Sequence, residues 1–378
     1  MTVTTVWCTP IEIARFANRI HIRTLENFAG VMYFATPTAD EPLTTQVLTI
    51  ASSALAAGDM LLISYDPADL AGSAFGCQEH DCRRILGIRL AAARRPYLLQ
   101  LDDVEGEQRR ALVYPARRAS SSEPAPVVLY FHGHGGDVYD SAALCRFHSL
   151  WPEAVVAYAE GTPVTAHGFP STQPERGWQL RFPYKYALGQ TKDLAYVHQL
   201  LHQLRQRHII DSSRIYAVGH SSGGFFTFSL TQLMPHAFAR FAVVGAYSRF
   251  KVELVDAGSA LANQAGPLPL VQSDHAALPR PILYLFGKND TVFDQDSPTP
   301  EPGWHATQMS RSRRTLVELA KRNACTIPTG SFWAASVQLS PPSQWQHLGA
   351  PVTWQLYDGD HSWPPTASDL VVQFFRDG

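Results

Sequence analysis

No uninterrupted apolar run in this chain approaches the ~18 residues that a membrane-spanning helix needs, so no membrane partner is expected. Charge of one sign is lacking too. Lys and Arg number 31 against 33 Asp and Glu, a formal net charge of −2, and the short basic runs at Arg83-Arg84, Arg94-Arg95 and 311–314 read as solvated faces. That balance gives no electrostatic case for a nucleic-acid partner or an anionic lipid surface. Residues 1–17 lack the basic stretch and following apolar stretch of a signal peptide, so a cytoplasmic location is expected, with secretion as the alternative.

Cysteine is scarce. Cys8, Cys77, Cys82, Cys145 and Cys325 form no C-x-x-C pair, and their odd number argues against a complete disulfide framework. The stretch from Cys77 to Cys82, with His80 inside it, fits unpaired thiols, a small disulfide loop or a metal site. Unpaired thiols are the expectation, because a metal would want a fourth ligand that is not supplied nearby. Internal repeats and low-complexity tracts are missing, and no metal, cofactor or prosthetic group is implied.

What is present is enough apolar sequence, 45% of 378 residues, to bury a sizeable core. A break rich in Arg, Ser and Pro at 117–126 marks a loop or linker. Beyond it, short β-branched and aromatic runs alternate with helical periodicities, the pattern of a parallel sheet flanked by helices. Strands are expected at 127–131, 154–158, 214–218, 241–245, 282–286 and 352–357, and helices at 191–207, 223–234, 311–322 and 368–376. Before the break, strands are expected at 20–23, 30–34, 60–64 and 85–90, a helix within 44–57, and an antiparallel hairpin from 97–101 and 109–114. The expected architecture is a doubly wound, mostly parallel α/β domain over 91–378, preceded by a small strand-rich accessory domain over 1–90.

Chemistry is concentrated in a few loops. Gly219-His220-Ser221-Ser222-Gly223 stands directly between a predicted strand and a predicted helix. A sharp strand-to-helix turn that lifts a serine out of a sheet needs glycine on both sides, where a Cβ would collide with strand and helix. Ser221 could otherwise merely cap the helix, but its placement favours a nucleophile. A serine hydroxyl attacks only when a base takes its proton and a third group orients that base. Asp290 follows the strand at 282–286, with Asp294 and Asp296 near enough to substitute for it, and His361 follows the last strand. Asp358 and Asp360 are expected to shape the histidine loop. An oxyanion hole is expected from the Ser222 amide and from the turn Phe131-His132-Gly133-His134-Gly135-Gly136, with the His134 amide favoured and Gly133 as the fallback. That glycine cluster lacks the lysine and spacing of a phosphate-binding loop, and His132 and His134 have no carboxylate motif to complete a metal site.

With these residues placed, the chain resembles the α/β-hydrolase superfamily, and within it the esterases grouped with polyhydroxybutyrate depolymerases and feruloyl esterases. The likeness rests on Tyr130-Phe131-His132-Gly133, Gly177-Trp178 with Asp193, the run from Ile210 to Tyr216 leading into Gly219 to Gly224, and His361-Ser362-Trp363-Pro364. It spans roughly 96–378 and leaves the N-terminal residues aside. The segments 255–280 and 298–347 are longer than a minimal member needs, and members are commonly exported. The resemblance implies hydrolysis of a carboxylic ester through a Ser-His-Asp triad, on small or polymer-linked substrates: feruloyl or other aryl, carbohydrate-linked or polyester. A peptidase or amidase of the same fold, and a binding protein with an inactive hydrolase body, are the alternatives. Trp178, Phe182, Tyr184, Tyr186, Trp304, Trp333, Trp345 and Trp363 suggest an aromatic acyl pocket, with Trp178 and Trp363 as the substrate-binding candidates. The oligomeric state is not legible.

Overall fold

The computed structural model describes residues 2–102, 108–164, 175–178, 192–247, 278–292, 306–326, 336–341, 343 and 349–377. The chain opens with strands β1 (Thr4–Cys8), β2 (Pro10–Arg15), β3 (Arg19–Phe28) and β4 (Val31–Pro37). Helix α1 (Glu41–Ala57) follows, started by Asp40, whose side chain accepts from the Leu43 amide, and ended by Gly58 in a left-handed conformation at φ 71°. Then come β5 (Asp59–Tyr65), β6 (Cys82–Arg84) and β7 (Gly87–Arg94). Strands β1, β5 and β7 pair antiparallel in one sheet. In a second sheet, ordered β2-β3-β4-β6, the first three strands are antiparallel and β6 runs parallel to β4. Val47, Ala51 and Ala54 of α1 close a shared core with Ile22 and Phe34 from one sheet and Leu61 and Ile63 from the other.

Strands β1 and β2 escape the sequence reading, because most of their residues are partly or fully exposed and carry no clean alternation. Cys77 and Cys82 correct it: they are bonded to each other, not free. A 3-10 turn at Ala71–Phe75, with bonds from Cys77 N to Gly72 O and Cys82 N to Gln78 O, folds the segment back on itself. The two Cα atoms stand 5.4 Å apart, within the span a disulfide bridges. Cys8, Cys145 and Cys325 are buried thiols.

The rest of the chain runs through β8 (Tyr97–Asp102), β9 (Gln108–Tyr114), β10 (Ala125–Phe131), α2 (Val138–Cys145), α3 (Phe147–Leu150) and β11 (Val155–Ala159). It continues with β12 (Thr162–Val164), β13 (Glu175–Gly177), α4 (Lys192–Arg207), β14 (Ile210–His220), α5 (Ser222–Leu233) and β15 (Arg240–Val244). The last elements are β16 (Ile282–Gly287), α6 (Ala306–Arg322), β17 (Ser336–Leu339), β18 (Val352–Tyr357) and α7 (Ala367–Arg376). Strands β12 and β13 form a separate two-stranded ribbon. The other strands form one sheet in the order β17-β18-β16-β15-β14-β10-β11-β9-β8, parallel from β18 to β11 and antiparallel at both edges.

Every residue of β10, β11 and β16 is buried, as a sheet covered on both faces requires. One face receives Val197, Leu201 and Leu204 of α4, Phe226 of α5 and Leu316 of α6. The other receives Ala142 of α2, Phe147 of α3 and Val371 and Phe375 of α7. Trp7, Leu25 and Met60 pack on that second face, so the N-terminal sheets lie against the large one. At their seam the buried Glu26 accepts from the Thr9 amide at 2.7 Å, the Thr9 hydroxyl at 2.8 Å and the Tyr114 hydroxyl at 2.8 Å.

Candidate active site

Strand β14 hands directly to α5 through Ser221, whose φ of 52° and ψ of −117° are costly for a residue with a Cβ. Neighbouring elements hold that conformation. The Ser221 amide donates to Val244 O at the end of β15, the Gly223 amide to His132 O past β10, and the Phe225 amide to Ser221 O, each at 3.0 Å. The flanking glycines let the turn close. A Cβ on Gly219 would strike the Gly223 carbonyl, and one on Gly223 would strike the Phe131 carbonyl.

Asp290 follows β16 and is 1% exposed. Its loop is laced to the histidine loop: Lys288 N donates to Tyr357 O and Asn289 N to Gly359 O, both at 3.0 Å. Gly287 has no room for a Cβ, which would meet the Asp360 and Gly359 carbonyls. Asp360 caps its own turn by accepting from the Ser362 amide at 2.9 Å, which holds its carboxyl below the ordinary value. The Tyr357 hydroxyl closes the same turn through Asp360 O and Ser362 O.

These loops bring three side chains into line. His361 Nδ1 stands 2.7 Å from Asp290 Oδ2, and His361 Nε2 stands 2.7 Å from Ser221 Oγ. A carboxylate only accepts, so Nδ1 carries the proton and Nε2 accepts from the serine hydroxyl. Ser221, Asp290 and His361 therefore follow in that order from the carboxyl ends of β14, β16 and β18 of a parallel sheet.

This is an α/β-hydrolase fold.

No protein-family model matches the sequence, and no curated protein matches it. Among solved structures, a carboxylesterase from Bacillus cereus is similar at 17% identity over 71% of this chain and 94% of that one, with a TM-score of 0.41. An S-formylglutathione hydrolase from Agrobacterium tumefaciens is similar at 16% identity over 74% and 94%, TM-score 0.44. A ferulic acid esterase is similar at 11% identity over 75% and 98%, TM-score 0.42.

In this α/β-hydrolase fold the turn after β10 presents Gly133, whose missing Cβ would sit 3.4 Å from Ser221 Cβ. His132 shapes that turn. Its Nδ1–H donates to Gly133 O at 2.6 Å, and its Nε2 accepts from the Gly161 amide at 2.9 Å. Burial pushes this imidazole down to about 4, so it is neutral at neutral pH. The His134 ring faces Glu175 Oε2 at 3.4 Å. Ser222 leads α5, where an amide has no acceptor within the helix, and its hydroxyl accepts from Trp178 N at 3.3 Å.

Two expectations change. Trp178 is 1% exposed, stacks on Phe226 and donates its indole N–H to His132 O at 2.9 Å, so among the described residues it braces the turn from inside the core. Trp363 is 8% exposed, sits edge-on to Tyr130 and Phe147, and donates to Ser368 Oγ at 3.1 Å on the opposite face. Aromatic character marks both residues, but it does not separate a pocket wall from a core wedge. Phe182, Tyr184, Tyr186, Trp304, Trp333, Trp345, Asp294 and Asp296 lie outside the described residues. The sequence reading misses His132 as a shaping residue; its signal is a histidine directly ahead of the glycine turn.

Proposed function

We propose that this protein is a serine hydrolase that cleaves carboxylic esters through an acyl-enzyme. The observation that carries the reading is the Ser221–His361–Asp290 line, with 2.7 Å at each contact. Ser221 Oγ attacks the ester carbonyl while His361 Nε2 takes its proton, and Asp290 holds the imidazole in the tautomer that leaves Nε2 bare. Ser222 and either His134 or Gly133 supply the amides for the oxyanion. His361 then returns the proton to the departing alcohol oxygen, leaving the acyl group on Ser221. Water gives a proton to His361, attacks the acyl carbon and frees the acid, and Ser221 recovers its proton.

The motifs shared with the polyhydroxybutyrate depolymerase and feruloyl esterase group favour aryl, carbohydrate-linked or polyester substrates. We assign catalysis to the residues after β7 and an accessory role to those up to its end at Arg94, a boundary slightly beyond the expected one at 90 and supported by the separate sheets and core of the N-terminal residues. Turnover of short and medium p-nitrophenyl esters tests the activity. The wild type is expected to turn over and Ser221→Ala to lose about 10³-fold or more in kcat with its melting unchanged. Equal rates for the two proteins would refute it.

A further inference from the structure

We propose that His220 is a positioning residue: its ring N–H, given to the His361 carbonyl, sets the histidine loop at the height where His361 meets Ser221. This rests on the catalytic reading above and adds to it a residue that ties the base to the nucleophile's own turn.

His220 is the residue before Ser221, and its Nε2 lies 2.8 Å from His361 O. A carbonyl only accepts, so Nε2 bears the hydrogen and the ring is a donor there. A nitrogen that donates to a carbonyl has no lone pair left for a serine proton, so Nε2 of His220 does not act as a second base. Burial pushes this imidazole down to about 4, so it keeps a single ring N–H at neutral pH.

The surroundings leave the ring little freedom. Trp363 meets it edge-on at 5.8 Å, and the His361 ring lies 5.3 Å away. Gly245, at φ 60°, would place a Cβ 3.4 Å from His220 Nε2 and 3.5 Å from His361 Cε1. Gly133 would place one 3.3 Å from His220 Nδ1. One imidazole thus sits between the oxyanion turn, the end of β15 and the histidine loop. A single neutral hydrogen bond contributes little to stability. Its leverage is geometric, because a misplacement of about 1 Å at a reacting group costs on the order of a hundredfold in rate.

The test compares His220→Leu with His220→Gln, side chains of similar size of which only glutamine can donate. The leucine variant is expected to lose about tenfold to a hundredfold in kcat on a p-nitrophenyl ester, with KM within about twofold. Titration of the serine with diethyl p-nitrophenyl phosphate should still count a full complement of sites. Glutamine should restore most of the rate. Leucine matching the wild type, or both variants falling equally while folded, would overturn the proposal. Proton NMR of the His361 Nδ1–H, far downfield, reads the same loop without turnover: it should be displaced in the leucine variant and kept in the glutamine one. Should neither variant fold, wild-type protein labelled with [15N]histidine still decides. Protonation of His220 at Nδ1 would sink the idea, and protonation at Nε2 supports it. An inactive wild type with a normal Nε2–H and downfield signal would count against the esterase reading and not against this one.

Discussion

The Asp290 carboxylate divides its oxygens: Oδ2 receives the His361 Nδ1–H, and Oδ1 accepts from the Val292 amide at 3.2 Å. Because the carboxylate only accepts, it selects one tautomer of His361. An asparagine there would offer an amide N–H to Nδ1 and favour the other tautomer, which places the proton on the nitrogen that should receive one. Asp290→Asn is therefore expected to lower kcat by about 10⁴ while leaving KM and the melting temperature near their wild-type values, as steady-state kinetics beside a thermal melt would show. A large drop in melting temperature would place the cause in the fold instead. At this scale the sequence is informative where order and position decide. Ser221, Asp290 and His361 are legible because each follows a predicted strand, and they meet within hydrogen-bond reach. It is uninformative where exposure decides, since Trp178 and Trp363 carry the same aromatic signal whether they face a substrate or the core.

Among the elements, the junction of β14 with α5 is tightly closed. Helix α5 comes down on the end of β10 where Gly223 has no side chain, and a methyl group there would meet backbone oxygens of Phe131 and His132. Backbone cannot swing aside as a flexible side chain would. Gly223→Ala is expected to cost at least about 3 kcal/mol, seen as a fall in the urea midpoint at unchanged m, and to remove activity with it. Near-wild-type stability would mean the helix can shift at no cost. The central strands are legible because parallel strands buried on both faces must be continuously apolar, as Val127 to Phe131 and Ile282 to Phe286 are. Edge strands obey no such rule. In β17 only Leu339 is buried, and its Ser336 and Gln338 look like loop.

For the whole molecule, the contact between the N-terminal sheets and the large sheet runs through a carboxylate. Burial raises the Glu26 carboxyl above its ordinary value, and the Thr9 amide and the Tyr114 and Thr9 hydroxyls lower it only in part. The groups facing it are Tyr114, Thr9 and Cys8, whose thiol is itself pushed up by burial and by Glu26. An acid that holds its proton more tightly folded than unfolded destabilises the native state as pH rises from about 4.3 through its raised value, and the penalty then persists. Glu26→Gln keeps polar partners for Thr9 and Tyr114 and carries no charge. It is expected to match or exceed the wild type in urea denaturation at about pH 7, with that advantage shrinking toward about pH 4.5. A constant difference across that range would place the stability effect elsewhere.

The same N-terminal part carries the Cys77–Cys82 bridge, while three other cysteines stay reduced inside cores. Handling therefore selects between two covalent forms of one polypeptide, oxidised and reduced. Buffers with and without a thiol reductant yield distinct reagents, with the change confined to a turn remote in sequence from Ser221, Asp290 and His361.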